Sequence, residues 1–188
     1  MARALRHPGD PDALEVRIAP MRRRHLRGVL RIEQQVYPRP WTFSLFLGEI
    51  GQRHTRVYVV ARVGSDVVGY AGLFKAADDG HITTVAVDPA WQRHGIATRM
   101  LLVLARAAAE RSCRNLTLEV RMSNSGAQAL YQRFGFVPAG VRKGYYPETG
   151  EDALVMWAND IDAPTYAERL ARLEADVPGR TVIEGGWI

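Results

Sequence analysis

Ile82-Thr83-Thr84-Val85-Ala86-Val87-Asp88-Pro89, followed by Gln92-Arg93-His94-Gly95-Ile96-Ala97, is the stretch that decides how this chain folds. The first six residues read as a strand, Asp88-Pro89 turns the chain, and an apolar helix runs from Gly95 to about Ser112. A strand feeding a small-residue turn that opens a helix makes an anion site. The first helical N–H groups have no partner inside the helix, and the helix dipole adds partial positive charge there. Gly95 lets a phosphate approach the backbone with no Cβ in the way. The spacing is neither the Gly-x-Gly-x-x-Gly of a dinucleotide loop nor the Gly-Lys-Ser/Thr of a P-loop. Working outward, a second strand, Leu116-Thr117-Leu118-Glu119-Val120, brings a carboxylate close to the same turn, and a helix carrying Tyr131 follows.

With 188 residues, 47% of them hydrophobic, the chain can bury one full core but is too short for two ordinary domains. No apolar run reaches the roughly 18 residues of a membrane span. The Arg-bearing first residues lack the apolar core of a secretory signal, so a cytoplasmic protein with no membrane partner is expected. The single Cys113 excludes an internal disulfide and reads as a packing residue at a helix end. The five His residues show no metal-ligand spacing, and no metal is expected. The net charge of +5 is spread along the chain. Its densest run, Arg22-Arg23-Arg24 with Arg27 and Arg31, falls on a predicted amphipathic helix, as a solvated face or an anionic contact, and no direct nucleic-acid binding is expected.

Along the chain, residues 1–12 are expected to form a disordered arm, with Pro8, Gly9 and Pro11 blocking regular structure. Residues 13–160 are expected to form one α/β domain. Glu15–Ala19 alternates as a strand, and a helix runs from about Arg22 to Val36. Thr42 is an N-cap for a helix with Phe43, Phe46, Leu47 and Ile50. A hairpin over 57–62 and 67–75 turns at Gly64-Ser65-Asp66. After the central strand–turn–helix come a helix over Ser125–Phe134 ended by Gly135, extended segments at 136–137 and 141–145, and a strand over Glu151–Ala158. In the long helix, Arg99, Arg106 and Glu110 fall along one face, so the rest is expected to pack on a sheet. Residues 161–188 form an extension, with a helix over Ala163–Asp176 and a tail ending at Trp187-Ile188. Docking on its own chain is expected.

Gln92-x-x-Gly95-x-Ala97 after Val87-Asp88-Pro89 resembles the acetyl-coenzyme A loop of the GNAT acetyltransferase superfamily, with Ala97 where many relatives carry a second Gly. Leu118-Glu119-Val120-Arg121-Met122-Ser123-Asn124, then Ala129-Leu130-Tyr131 and Phe134-Gly135-Phe136, resembles its ribosomal-protein-alanine N-acetyltransferase (RimI-type) branch. So do Arg142-Lys143-Gly144-Tyr145-Tyr146-Pro147, Glu151-Asp152-Ala153 and Pro40-Trp41. The resemblance covers about residues 14–160. It implies a mixed, mostly antiparallel sheet splayed at its parallel central strands, with helices on both faces.

The resemblance further implies acetyl-CoA as cosubstrate, held by Val85, Ala86, Val87, Gln92, Arg93, His94, Gly95, Ile96, Ala97, Asn124 and Tyr131. It makes Glu119 the general base, directly or through a water, and Tyr131 the general acid. Trp41, Glu119, Tyr145 and Tyr146 would line the acceptor groove. From the residues alone Glu119 could equally be a surface carboxylate paired with Arg121 on the same strand face, and Tyr131 a core aromatic. Asn124 either contacts the cofactor or caps the helix at Ser125. An apolar cleft is expected around Glu119.

An α-amino group deprotonates near pH 8 and Lys near 10.4, so neutralising Lys costs roughly 3.5 kcal/mol more. One carboxylate base therefore suits an N-terminal amine. The branch's acceptor is the N-terminal Ala of a small-subunit ribosomal protein. The alternatives are transfer to a small-molecule amine, or an acyl-CoA-binding module without turnover.

Overall fold

The computed structural model describes residues 13–185; the expected N-terminal arm and the last three residues, Trp187 and Ile188 among them, lie outside the described residues. Among the described residues eight strands form one sheet: β1 (Glu15–Pro20), β2 (Arg56–Val63), β3 (Asp66–Ala76), β4 (Asp79–Val87), β5 (Asn115–Arg121), β6 (Val137–Tyr146), β7 (Glu151–Ala158) and β8 (Arg180–Ile183). Their order across the sheet is β6-β7-β5-β4-β3-β2-β1-β8. The helices are α1 (Leu26–Val36), α2 (Phe43–Gly51), α3 (Ile96–Glu110), α4 (Ser125–Arg133) and α5 (Pro164–Ala175).

Alternation along β2 shows how the layers form. Val57, Val59 and Ala61 join a core cluster with Met100 and Leu104 of α3 and Leu170 of α5. Tyr58 and Val60 point the other way, into a cluster with Leu26, Val29 and Ile32 of α1 and Phe46 of α2. A period of two therefore feeds two apolar layers on opposite faces. Cys113 is fully buried in the first cluster, as a packing residue should be.

The parallel pair β4–β5 is the feature that matters for function. It is in register only at Asp79↔Asn115, Gly80↔Leu116 and His81↔Thr117. Beyond His81 the two strands separate, and Ile82–Val87 and Leu118–Arg121 no longer bond to each other. β5 continues to pair with β7, through Glu119↔Val155 to Arg121↔Ala153, and β4 with β3. The sheet splays between two halves that are each secured on their outer side.

Several expectations are refined, and the Thr42 cap holds as read. The first helix begins as a 3-10 turn over Arg23–His25, because the His25 ring accepts the Arg22 N–H at 3.1 Å, and α1 proper starts at Leu26. Thr42 caps α2, accepting the Leu45 N–H at 3.2 Å. Arg31 is only partly solvated; its guanidinium also ties to the buried Asp88 at 2.7 Å and to the Val67 carbonyl at 2.8 Å. The two extended segments around Val137 and Val141 are one edge strand, β6, with register shifts after Pro138 and Arg142. Its place at the edge lets the sheet tolerate Pro138.

The larger correction concerns the polar face of α3. Arg99 is only 1% exposed. The extension folds back over that face: Arg106 forms two bonds to Glu174 of α5, at 3.0 and 2.7 Å. After α5 the chain adds β8 as a parallel strand beside β1, pairing Glu15↔Arg180 through Ile18↔Ile183.

Candidate active site

The turn after β4 is built on Asp88. Its carboxylate accepts the Ala90 N–H at 3.0 Å and the Arg31 guanidinium at 2.7 Å, fixing the 3-10 turn Pro89–Trp91. The chain then crosses to α3 with Arg93 at φ 66° and Gly95, the N-cap residue, at φ 70°. No side chain caps α3, so its first N–H groups stay open. They face a cleft of about 610 Å³ whose rim includes Val87, Gln92, Arg93, Gly95, Ile96, Ala97 and, across from them, Gly126 and Arg133.

Gly95 is needed here for a different reason than clearance for phosphate. A Cβ at this position would lie 2.8 Å from the Arg99 guanidinium and 3.1 Å from Val177. Its α-hydrogen thus faces the C-terminal extension, and its left-handed φ is the second constraint.

A second cleft of about 390 Å³ opens where β4 and β5 part, and Asn124 and Ala127 border both clefts, so the two are continuous. Glu119 stands on the splayed part of β5 with its side chain 7% exposed. Its surroundings are not apolar: one oxygen lies 3.2 Å from His81 Nε2 and the other 3.1 Å from the Arg142 guanidinium. Arg121 does not pair with it. That guanidinium binds Glu148 at 2.5 Å and Glu151 at 3.2 Å, and lies 3.9 Å over the Tyr146 ring. Burial pushes the His81 imidazole below its ordinary value; Arg142 acts the same way and Glu119 opposes.

Tyr131 is 8% exposed, borders the Glu119 cleft and packs 5.8 Å from the Phe136 ring. Burial, the largest influence, raises its phenol further above 10, so it stays protonated at neutral pH. Trp41, Tyr145 and Tyr146 border the same cleft, with the two tyrosine rings edge-on at 5.2 Å. Asn124 accepts the Ala127 N–H at 3.1 Å, capping α4 while bordering both clefts. Val85 borders the acceptor side, and its carbonyl accepts the Tyr37 hydroxyl at 3.2 Å. Two expected cofactor residues turn their side chains elsewhere. Ala86 is buried in the α1–α2 layer, and the His94 ring folds to 2.7 Å from the Gln92 carbonyl and 6.2 Å from Trp91.

The cleft also holds residues that sequence reading passed over. His81 lies just before the stretch read as strand, and only the β4–β5 register brings it to Glu119. Arg142 was visible in its motif, but its partner depends on where the edge strand β6 lies. Glu33 had a signal: it follows Leu26 and Val29 by seven and four residues, an acid on the apolar stripe of α1. It is 3% exposed, accepts the Trp41 N–H at 2.9 Å and the Tyr70 hydroxyl, and burial pushes its carboxyl up to about 7.

Comparison with known proteins agrees with this architecture. The acetyltransferase (GNAT) family model matches residues 26–136. The ribosomal protein bS18-alanine N-acetyltransferase of Escherichia coli is 33% identical over 133 residues, 70% of this chain and 88% of that one. The N-alpha-acetyltransferase RimI of Mycobacterium tuberculosis is 34% identical over 154 residues, 77% of this chain and 93% of that one. The crystal structure of the Escherichia coli ribosomal-protein-S18-alanine N-acetyltransferase matches with a TM-score of 0.70 at 31% identity, covering 77% of this chain and 94% of the other. The splayed parallel pair beside an uncapped helix lies within a family match over more than half the residues: this chain belongs to the acetyltransferase (GNAT) family.

Proposed function

We propose that this protein transfers the acetyl group of acetyl-CoA to the α-amino group of a protein N-terminus, with the alanine start of a bS18-like ribosomal protein as the first acceptor to try. One observation carries the reading. A nearly buried carboxylate, Glu119, sits in a cleft that runs into an open helix mouth by way of Asn124 and Ala127.

The residues present fit a diphosphate-bearing thioester. The uncapped N–H groups from Gly95 onward would hold the diphosphate, and the free edges of the splayed strands would take the amide-bearing arm. Acetyl-CoA, when bound, supplies an activated acyl group. Glu119 is placed to take the proton of an amine entering past Trp41 and Tyr145. Tyr131 holds a proton for a departing thiolate, which is basic near 8.5 as judged from Cys. Arg142 is more than half exposed and can swing out as a cationic amine arrives to replace it on Glu119.

The carboxylates on this cleft are offset: Glu119 by Arg142, Glu148 by Arg121, and Glu33 by burial that pushes its carboxyl up to about 7, so that it is only partly ionised at neutral pH. Such a surface gives no extended negative field to a polycation, which favours a single amine on a peptide over a polyamine. Thiol release from acetyl-CoA is measured with an Ala-initiated peptide, an N-blocked Lys peptide and spermidine. Release with the first alone is expected. Release with spermidine alone transfers the reading to small amines, and cofactor binding with no release at all marks a module without turnover.

A further inference from the structure

Among the described residues Arg99 heads the largest fully buried side chains, and it is charged. It sits on the first turn of α3, one turn past the loop read above as the diphosphate site. Its Nε donates to the Thr181 hydroxyl at 2.9 Å, one terminal nitrogen to the His94 carbonyl at 2.9 Å, and the other to the Pro178 carbonyl. All three acceptors are neutral. Burial is the single influence on its titration, and no carboxylate among the described residues pairs with it. A buried cation without a counter-charge is costly, and such groups are ordinarily paired.

The three acceptors come from two places. His94 belongs to the loop; Pro178 and Thr181 belong to the C-terminal extension, held in place by α5 on α3 and by β8 on β1. The bond to His94 turns that carbonyl toward Arg99. Because the peptide is planar and trans, the Gly95 N–H then points away from the guanidinium. The side chain borders neither cleft, so it reaches the site only through the loop and through its field.

We infer that Arg99, held by the C-terminal extension, is a positioning residue for the cofactor's diphosphate: it sets the loop so that the amide donors face the cleft, and the bound diphosphate supplies the counter-charge that its buried guanidinium lacks. The inference rests on the acetyl-CoA reading of the loop. It assigns the extension a purpose, since a chain ending before Pro178 would leave this guanidinium two acceptors short.

The test separates charge from bracing. Titration calorimetry gives the affinity for coenzyme A; displacement gives that for pantetheine, which has no diphosphate. The wild-type chain is expected to bind coenzyme A far more tightly than pantetheine. Equal affinities would overturn the diphosphate reading itself, and this inference with it. Arg99→Gln is expected to weaken coenzyme A on the order of tenfold or more, with pantetheine little changed. Thr181→Asp is the second variant. It keeps a hydrogen-bonding partner for Arg99, and so the brace, but neutralises the charge, and it too is expected to weaken coenzyme A selectively. Its result stands even if Arg99→Gln does not fold. Wild-type coenzyme A affinity in Thr181→Asp, or a parallel loss of both ligands, would overturn the inference while leaving the cofactor reading intact.

Discussion

Replacing Glu33 by Gln should change how stability depends on pH more than it changes the fold. Glu33 is 3% exposed, beneath the Trp41 side of the acceptor cleft. Burial raises its carboxyl from 4.5 to about 7, against a smaller opposing effect of the Trp41 N–H bond. In the unfolded chain the group ionises near 4.5. Below that pH both states are protonated and Glu33 costs nothing by titration. Above it the unfolded chain loses its proton while the folded one keeps it, so stability falls with rising pH until the folded group ionises near 7. The gap, at about 1.4 kcal/mol per pH unit, is worth about 3 kcal/mol. A Gln side chain keeps an oxygen to accept the Trp41 N–H and never ionises, so Glu33→Gln should abolish this loss. His25 runs the opposite way. It is 6% exposed and its imidazole is pushed down to about 4, so it removes stability as pH falls from 6.5 toward 4 in both proteins and cancels in the difference. Urea denaturation of both proteins between pH 5 and 8 is the assay. Because Glu33 and His25 oppose each other, the wild-type chain is expected to change by less than about 1 kcal/mol between pH 5 and 8, while the advantage of the variant widens by roughly 2–3 kcal/mol over that range and the variant is nearly flat above 6.5. Parallel curves would show that Glu33 ionises normally, and the account of this buried acid would be wrong.

Two further outcomes follow from the site and its support. Glu119→Gln should lower turnover with an N-terminal peptide by on the order of a hundredfold or more while leaving coenzyme A affinity unchanged by calorimetry, since the Gln92–Thr98 cleft excludes it; a wild-type rate across the pH range would remove Glu119 from the mechanism. Gly72→Ala would place a Cβ 2.4 Å from the Tyr58 ring and 2.6 Å from the Thr83 hydroxyl on the cleft wall, costing about 2 kcal/mol and several degrees of melting temperature. Gly140→Ala meets nothing within 4 Å and should melt like the wild type; equal melting of all three proteins would contradict the packing at β3.

What could be read in the sequence alone was whatever depends on short-range hydrogen bonding and periodicity. The strand at Ile82, the Asp88-Pro89 turn, the Gly95 helix start, the Thr42 cap and the alternation that separates Glu119 from Leu118 are all settled within a few residues. Motif spacing carried that into a family and into the choice of Glu119 and Tyr131. The tertiary structure decided what depends on which distant segments meet. Arg99 looks like a surface residue in a helical wheel until residues 178–181 arrive from some eighty positions away to cover it. Arg121 looks like the partner of Glu119 until the β6–β7 turn brings Glu148 to the first and strand β6 brings Arg142 to the second. The strand β8 is four residues long and has no period to detect; it exists because β1 offers an unpaired edge. Local rules specify which groups face which way along an element, but the partner of a buried charge is chosen by register and docking between elements, and those are energies of the whole fold.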